Sequence, residues 1–229
     1  MIRSESSTSL HPVVLDAGGI PLQGDLAVPE GARGIVLFAH GSGSSRRSPR
    51  NRLVADTLTE AGIGALLFDL LTPAEEADRR NVFDIPLLAR RLVGATRWLA
   101  GRPETARHAI GYFGASTGAA AALVAAATPG ISVGAVVSRG GRPDLAGESL
   151  ARVNAPTLLI VGSRDPEVLE LNRIALARLN CPRRLEVVSG ATHLFEEPGT
   201  LQSVADLATR WFHEHLGKEA PGPERHPPL

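Results

Sequence analysis

Short, uninterrupted apolar runs alternate along most of the chain with segments whose apolar residues recur every three or four positions. These are the signatures of buried strands and of amphipathic helices. Residues 1–12 are largely polar and are expected to be flexible. Val13-Val14-Leu15 and Leu22 to Val28, separated by Gly18-Gly19, predict two antiparallel strands at a sheet edge. After a break at Pro29-Glu30-Gly31, the run Ile35-Val36-Leu37-Phe38-Ala39 predicts a parallel strand covered on both faces. It leads into His40-Gly41-Ser42-Gly43-Ser44-Ser45, a loop too rich in glycine and serine for regular structure. Leu53, Val54, Leu58 and Ala61 place a helix over 51–61, with Gly62 where a C-terminal cap belongs. The same reading gives strands over 65–70, 109–113, 133–137, 157–161 and 185–188, and helices over 85–100, 119–127, 145–152, 166–179 and 201–216. The charged segment 72–81 has no decisive pattern, and the proline-rich residues 218–229 predict a disordered tail.

Strand and helix alternate singly from about residue 34 to 216, which predicts one α/β domain over 13–217 built on a doubly wound, mostly parallel sheet. Function in such sheets gathers at the carboxyl ends of the strands. Only the short helix 145–152 separates two of the strands, so no substantial lid is expected over the site.

Composition narrows the function classes. Hydrophobic residues make up 43% of the 229, enough for a sizeable core, and 24 basic side chains balance 24 acidic ones. That balance gives no reason to expect a nucleic-acid partner. No span approaches a transmembrane helix and the serine-rich start lacks an apolar signal core, so a cytoplasmic protein with no membrane partner is expected. The single cysteine, Cys181, excludes an internal disulfide and a multi-cysteine zinc site.

The candidate chemistry centres on Gly114-Ala115-Ser116-Thr117-Gly118, which joins the apolar run 109–113 to an alanine-rich helix. A serine thrust out of such a strand-to-helix turn adopts a strained backbone, so its neighbours two residues away must be small. The turn sets Ser116 at a helix N-terminus, where the Thr117 N–H can help hold an oxyanion. A second donor is expected from the loop after the strand 35–39, Ser42 N–H in preference to Gly43.

A serine hydroxyl needs a base, and the base needs a group to orient it. Among the histidines, His11 and His226 lie in the tails, and His108 precedes a strand. His213 and His215, two apart on the last helix, make a poor metal pair. His193, in the loop after the final strand, is the expected base. Asp165, after strand 157–161, is the expected acid, although Asp165-Pro166 also reads as a helix cap with proline at the first helical position. Asp144 is the rival acid, and Asp69 is expected to cap a helix or pair with an arginine. His40 and Gly41 shape the glycine loop at the substrate edge. Arg46, Arg47, Arg50 and Arg52, with Arg139 and Arg142, are either solvated loop charges or readers of a substrate carboxylate or phosphate.

The order Ser116, Asp165, His193, with His40-Gly41-Ser42-Gly43 upstream, resembles the α/β-hydrolase superfamily over nearly the whole chain. The small size, the missing lid, and the Gly162-Ser163-Arg164-Asp165 and Gly190-Ala191-Thr192-His193 stretches are most similar to its dienelactone hydrolase-like branch. Dienelactone hydrolases proper carry cysteine where this chain has Ser116, which favours a serine esterase. The resemblance implies hydrolysis of a small carboxylic ester or lactone through an acyl-serine, without metal or cofactor. An anionic substrate and a homo-oligomer stay open. Thioester hydrolysis, acyl transfer, or ligand binding without turnover are the alternatives. Some relatives of this branch are joined to a phosphoribosyltransferase module, which nothing in these residues suggests.

Overall fold

The computed structural model describes residues 9–217, and the expected flexible start and disordered tail fall largely outside them. Uninterrupted apolar runs become the centre of one eight-stranded sheet. Strands β3 (Gly34–Ala39), β4 (Gly64–Phe68), β6 (Ala135–Arg139) and β7 (Thr157–Gly162) are buried along their whole length. With β1 (His11–Asp16), β2 (Pro21–Ala27), β5 (Ala109–Ala115) and β8 (Arg183–Val188) they run in the order β1-β2-β4-β3-β5-β6-β7-β8. β1 and β2 form the expected antiparallel hairpin, and β2 pairs antiparallel with β4. All remaining pairs are parallel. Gly18 and Gly19, both at positive φ, carry the hairpin turn, which is closed by Ala17 N–H donating to the Ile20 carbonyl.

Helices cover both faces. On one side α4 (Ile85–Ala100) and α5 (Thr117–Ala126) pack with two 3-10 turns over Pro143–Arg152, burying Leu88, Leu92, Leu99, Leu123 and Leu150. On the other, α1 (Pro49–Glu60) and α7 (Thr200–His215) bury Val54, Leu58, Val204, Ala208 and Phe212. α5 is apolar nearly all round because it is enclosed, and its alanines let it fit between its neighbours.

Three segments depart from expectation. Residues 72–81 form two short helices, α2 (Pro73–Glu76) and α3 (Arg79–Val82). Thr72 caps the first in a reciprocal box with Glu75, and Asp78 caps the second. The helix expected over 145–152 is the pair of 3-10 turns, interrupted at Gly147, where φ is +54°. β6 lies two residues later than expected: Gly134 N–H donates to the Ile110 carbonyl, and Ala135 opens the strand opposite Gly111. α6 (Pro166–Arg178) completes the elements. Among the described residues no helix is long and apolar enough to cross a membrane.

Candidate active site

The turn after β5 has the geometry its sequence demands. Ser116 sits at φ +50°, ψ −123°, a conformation that costs a residue with a Cβ about 1–3 kcal/mol and persists only where the surroundings enforce it. They do so on three sides. Ser116 N–H donates to the Arg139 carbonyl at 3.3 Å, while its own carbonyl accepts from Ala119 N–H at 3.1 Å and Arg142 N–H at 3.0 Å. A Cβ on Gly118 would overlap the Ala39 carbonyl oxygen, and one on Gly114 would strike Ala119 at the start of α5. Gly118→Ala should therefore destabilise the fold by about 1–3 kcal/mol, because backbone atoms stand in the way. A fall in the urea midpoint checks this.

His193 lies in the loop after β8 and Asp165 at the end of β7's loop. The two meet: His193 Nδ1 and Asp165 Oδ2 are 2.7 Å apart. A carboxylate only accepts, so Nδ1 carries the proton and donates it, leaving the Nε2 lone pair free. The carboxylate is largely buried (side chain 15% exposed) and the imidazole open (40%). Although Asp165 precedes α6, its side chain makes no cap bond. Asp144 is engaged elsewhere, receiving both Nε (2.9 Å) and Nη2 (2.8 Å) of Arg142.

Two loops hold this pair in register. Gly190 N–H donates to Ser163 Oγ at 2.8 Å and Arg164 N–H to the Ala191 carbonyl at 2.9 Å, fastening the histidine loop to the aspartate loop. Glu197 accepts from Thr192 N–H at 3.1 Å, and hydrogen bonding from Thr192, its side chain first, with a backbone bond of its own, holds the Glu197 carboxyl below the usual range. His193 packs against Gly140, beside the serine turn. A Cβ there would lie 3.0 Å from the His193 carbonyl oxygen and 3.7 Å from its ring Cε1, and Gly140 directly follows the residue whose carbonyl receives Ser116 N–H. Ser116 and His193 are not hydrogen-bonded to each other in this structure.

The glycine loop lies beside the serine. A Cβ on Gly41 would fall 2.9 Å from Ser116 Cβ. Ser42 N–H, the expected second oxyanion donor, donates to Thr117 Oγ1 at 3.1 Å, so the loop is tied to the first residue of α5. His40 braces the loop from below. Leu70 N–H donates to its Nε2 and its Nδ1–H donates to the Gly41 carbonyl, both at 3.1 Å. Burial pushes its pKa down, against the Gly41 bond and the nearby Asp69 and Glu76 charges. The ring is thus neutral and its nitrogens are committed to backbone, so it offers no polar contact to a substrate. With Gly41, Ser42, Leu71, Val82 and Leu88 it lines a cavity of about 90 Å³.

The arginines separate sharply. Arg46 binds Asp69 at 2.5 Å and lies 3.6 Å from Asp25, which also receives Arg52 at 2.6 Å. Arg142 belongs to Asp144. These are internal ion pairs, and Asp69 pairs as expected. Arg139 differs: it is buried at the end of β6, and neither Nε nor Nη1 has a hydrogen-bond partner.

Sequence reasoning missed Glu197 and Asn172. Asn172 is fully buried on α6 and donates to the Gly141 carbonyl at 3.0 Å, pinning the turn on which His193 rests. Glu197 could be sought as an acid close after the histidine. The signal for Asn172 is a polar residue on the buried stripe of α6, in step with Val168, Ala175 and Leu179.

Residues 32–209 match the family model described as an alpha/beta hydrolase domain. A dienelactone hydrolase from Anabaena variabilis has a similar structure, with 55% sequence identity over 92% of this chain and 99% of that one, at a TM-score of 0.89. An esterase from Pyrococcus furiosus, 19% identical over 95% of this chain and 97% of its own, shares the fold at a TM-score of 0.73. A Mycobacterium tuberculosis protein named as a phosphoribosyl transferase is 66% identical over 207 residues, 90% of this chain. Those residues are 46% of that protein, so the chain spans about half the length of the curated relatives it matches. The model match and the 55% identity to the cyanobacterial enzyme place this chain in the alpha/beta hydrolase family, in its dienelactone hydrolase-like branch.

Proposed function

We propose that this domain is a serine hydrolase that cleaves a small carboxylic ester or lactone through an acyl-Ser116 intermediate. The observation that carries the reading is the 2.7 Å bond from His193 to an Asp165 carboxylate that leaves its own helix uncapped, on the sheet edge where Ser116 is held in a strained turn.

In this reading His193 Nε2 takes the Ser116 proton as Oγ bonds to the substrate carbonyl carbon, and Asp165 stabilises the imidazolium that results. The oxyanion is received by Thr117 N–H, free at the start of α5, and by a backbone N–H of the glycine loop. For Ser42 to serve, its N–H must be shared with or released by Thr117 Oγ1; Gly43 is the alternative. As the tetrahedral adduct collapses, the ester C–O bond breaks and Nε2–H protonates the departing oxygen. Water then repeats the cycle on the acyl-serine, giving the acid and restoring Ser116. The serine in place of cysteine favours esters over the dienelactone of the cyanobacterial relative's name.

The transferase name belongs to proteins about twice as long as the stretch they share with this chain, and the shared stretch carries the hydrolase fold. Hydrolysis is therefore the activity proposed for it. A fluorophosphonate probe followed by peptide mass spectrometry should label Ser116 stoichiometrically. Failure to label it would favour a ligand-binding protein that retains the fold.

A further inference from the structure

A buried arginine without a carboxylate is expensive to keep, because the charge has left water and gained nothing in exchange. Arg139 is in that position. It is 8% exposed, no ion pair or side-chain hydrogen bond reaches it from the described residues, and its Nε and Nη1 are sealed from solvent. Nη2 is the one guanidinium nitrogen not so enclosed. Burial, with the repulsion of nearby Arg50, pulls its pKa down to about 10, so it still carries its charge at neutral pH. Arg46, Arg52 and Arg142 at this edge have acids, Arg46 and Arg52 sharing Asp25, Arg46 also holding Asp69 and Arg142 holding Asp144, while Arg47 and Arg164 are exposed to water. Arg50 has only the exposed Glu196, at 3.3 Å, and its Nε is also buried without a partner.

Placement ties this charge to the reaction. Arg139 closes β6 opposite Ala115, and its carbonyl receives Ser116 N–H. Neighbouring strands are about 5 Å apart, so its Cα stands one strand spacing from the serine turn. Ala135 and Val137, four and two residues earlier, face the α1 and α7 layer. Strand alternation sends the Arg139 side chain the same way, toward the start of α1 where Arg50 lies.

We propose that Arg139, assisted by Arg50, binds a small oxyanion, a carboxylate or a phosphate, carried by the substrate a short chain away from the carbonyl that Ser116 attacks. The proposal rests on the serine-hydrolase reading and sharpens it to esters of anionic acids. The missing counter-charge is supplied by the substrate, and Arg50 can turn from its exposed partner to join it.

Two measurements test it. First, kcat/KM is compared for p-nitrophenyl hemisuccinate and the neutral p-nitrophenyl butyrate. The ratio, anionic over neutral, should fall about ten- to a hundredfold in Arg139→Met, mainly through KM, as expected for a lost charge-assisted bond. Arg139→Lys should recover part of it. An unchanged ratio in Arg139→Met overturns the proposal.

The second measurement needs no turnover. Ser116→Ala protein is titrated calorimetrically with succinate and with inorganic phosphate. Saturable binding of either, lost when Arg139→Met is added, supports the site and names the anion; binding of neither overturns it. Succinate binding by a wild-type chain that hydrolyses no ester would sink the hydrolase reading and leave the anion site standing. Arg139→Met should also melt a few degrees higher, since an unpaired buried charge is gone. Should that variant fail to fold, Arg50→Gln decides the matter, by weakening binding severalfold or by leaving it unchanged and so overturning the proposal.

Discussion

Ser116→Ala should lower ester turnover by at least about a thousandfold while leaving the fold intact, a loss of about 4 kcal/mol of transition-state stabilisation. In the proposed mechanism the oxygen removed is the atom that bonds to substrate, and the neighbouring threonine hydroxyl is not free to replace it. Thr117 Oγ1 already accepts from Ser42 N–H and belongs to a residue buried under the loop. The backbone conformation supplies an independent check. At φ +50° alanine suffers the same clash as serine, whereas glycine does not. Ser116→Gly should therefore be as inactive as Ser116→Ala yet more stable by about 1 kcal/mol, a gain visible as a shift of a few degrees in thermal melting. An alanine variant that keeps most of its activity would remove Ser116 from the mechanism. Equal melting of the two variants would remove strain from the account of the turn.

Why that turn could be read from sequence, and other parts could not, comes down to the range of the forces involved. Gly114 and Gly118 are required by collisions with atoms next to the serine, and the alanines of α5 by enclosure between layers, so residue types alone point to both. Segment 72–81 also holds local signals, the Thr72…Glu75 capping box and the Asp78 cap, but the helices they start are one turn each and leave no periodicity to detect. β6 was harder. Val133 looks like its beginning, but the strand opens at Ala135 because its pairing is set by β5 through Gly111, a partner far away in sequence. That two-residue displacement carries a chemical consequence. A strand ending at 137 would leave Arg139 in a solvated loop, whereas one ending at Arg139 draws the side chain toward the α1 and α7 layer, where it is buried with Nε and Nη1 unpartnered. The separation of paired from unpaired arginines is only partly local: Arg142 and Asp144 are two residues apart, but Asp25 and Asp69 reach their partners only once the sheet is assembled.

Asp165→Asn should lower turnover by about three to four orders of magnitude, whereas Asp144→Asn should leave it within about twofold of the wild type. In the wild type the Asp165 carboxylate accepts the Nδ1 proton at 2.7 Å and so keeps Nε2 as the unprotonated nitrogen of the neutral ring. An asparagine there can present its NH2 group to the ring, which moves the proton to Nε2 and blocks the base. Even in the opposite rotamer it brings no charge to stabilise the imidazolium. The loss should therefore fall on kcat, with KM little changed, because neither residue contacts the ground-state substrate in this mechanism. The Asp144 carboxylate binds only Arg142, through a partly exposed pair whose removal is worth about 1 kcal/mol or less. Fluorophosphonate labelling adds a second readout, since Asp165→Asn should slow the labelling of Ser116 in proportion to turnover while Asp144→Asn labels at the wild-type rate. If Asp144→Asn proves the crippled variant, the acid works from the loop after β6, and the Asp165–His193 bond only positions two loops. Steady-state kinetics of both variants on one neutral ester, with melting curves to show that each is folded, separates the two outcomes.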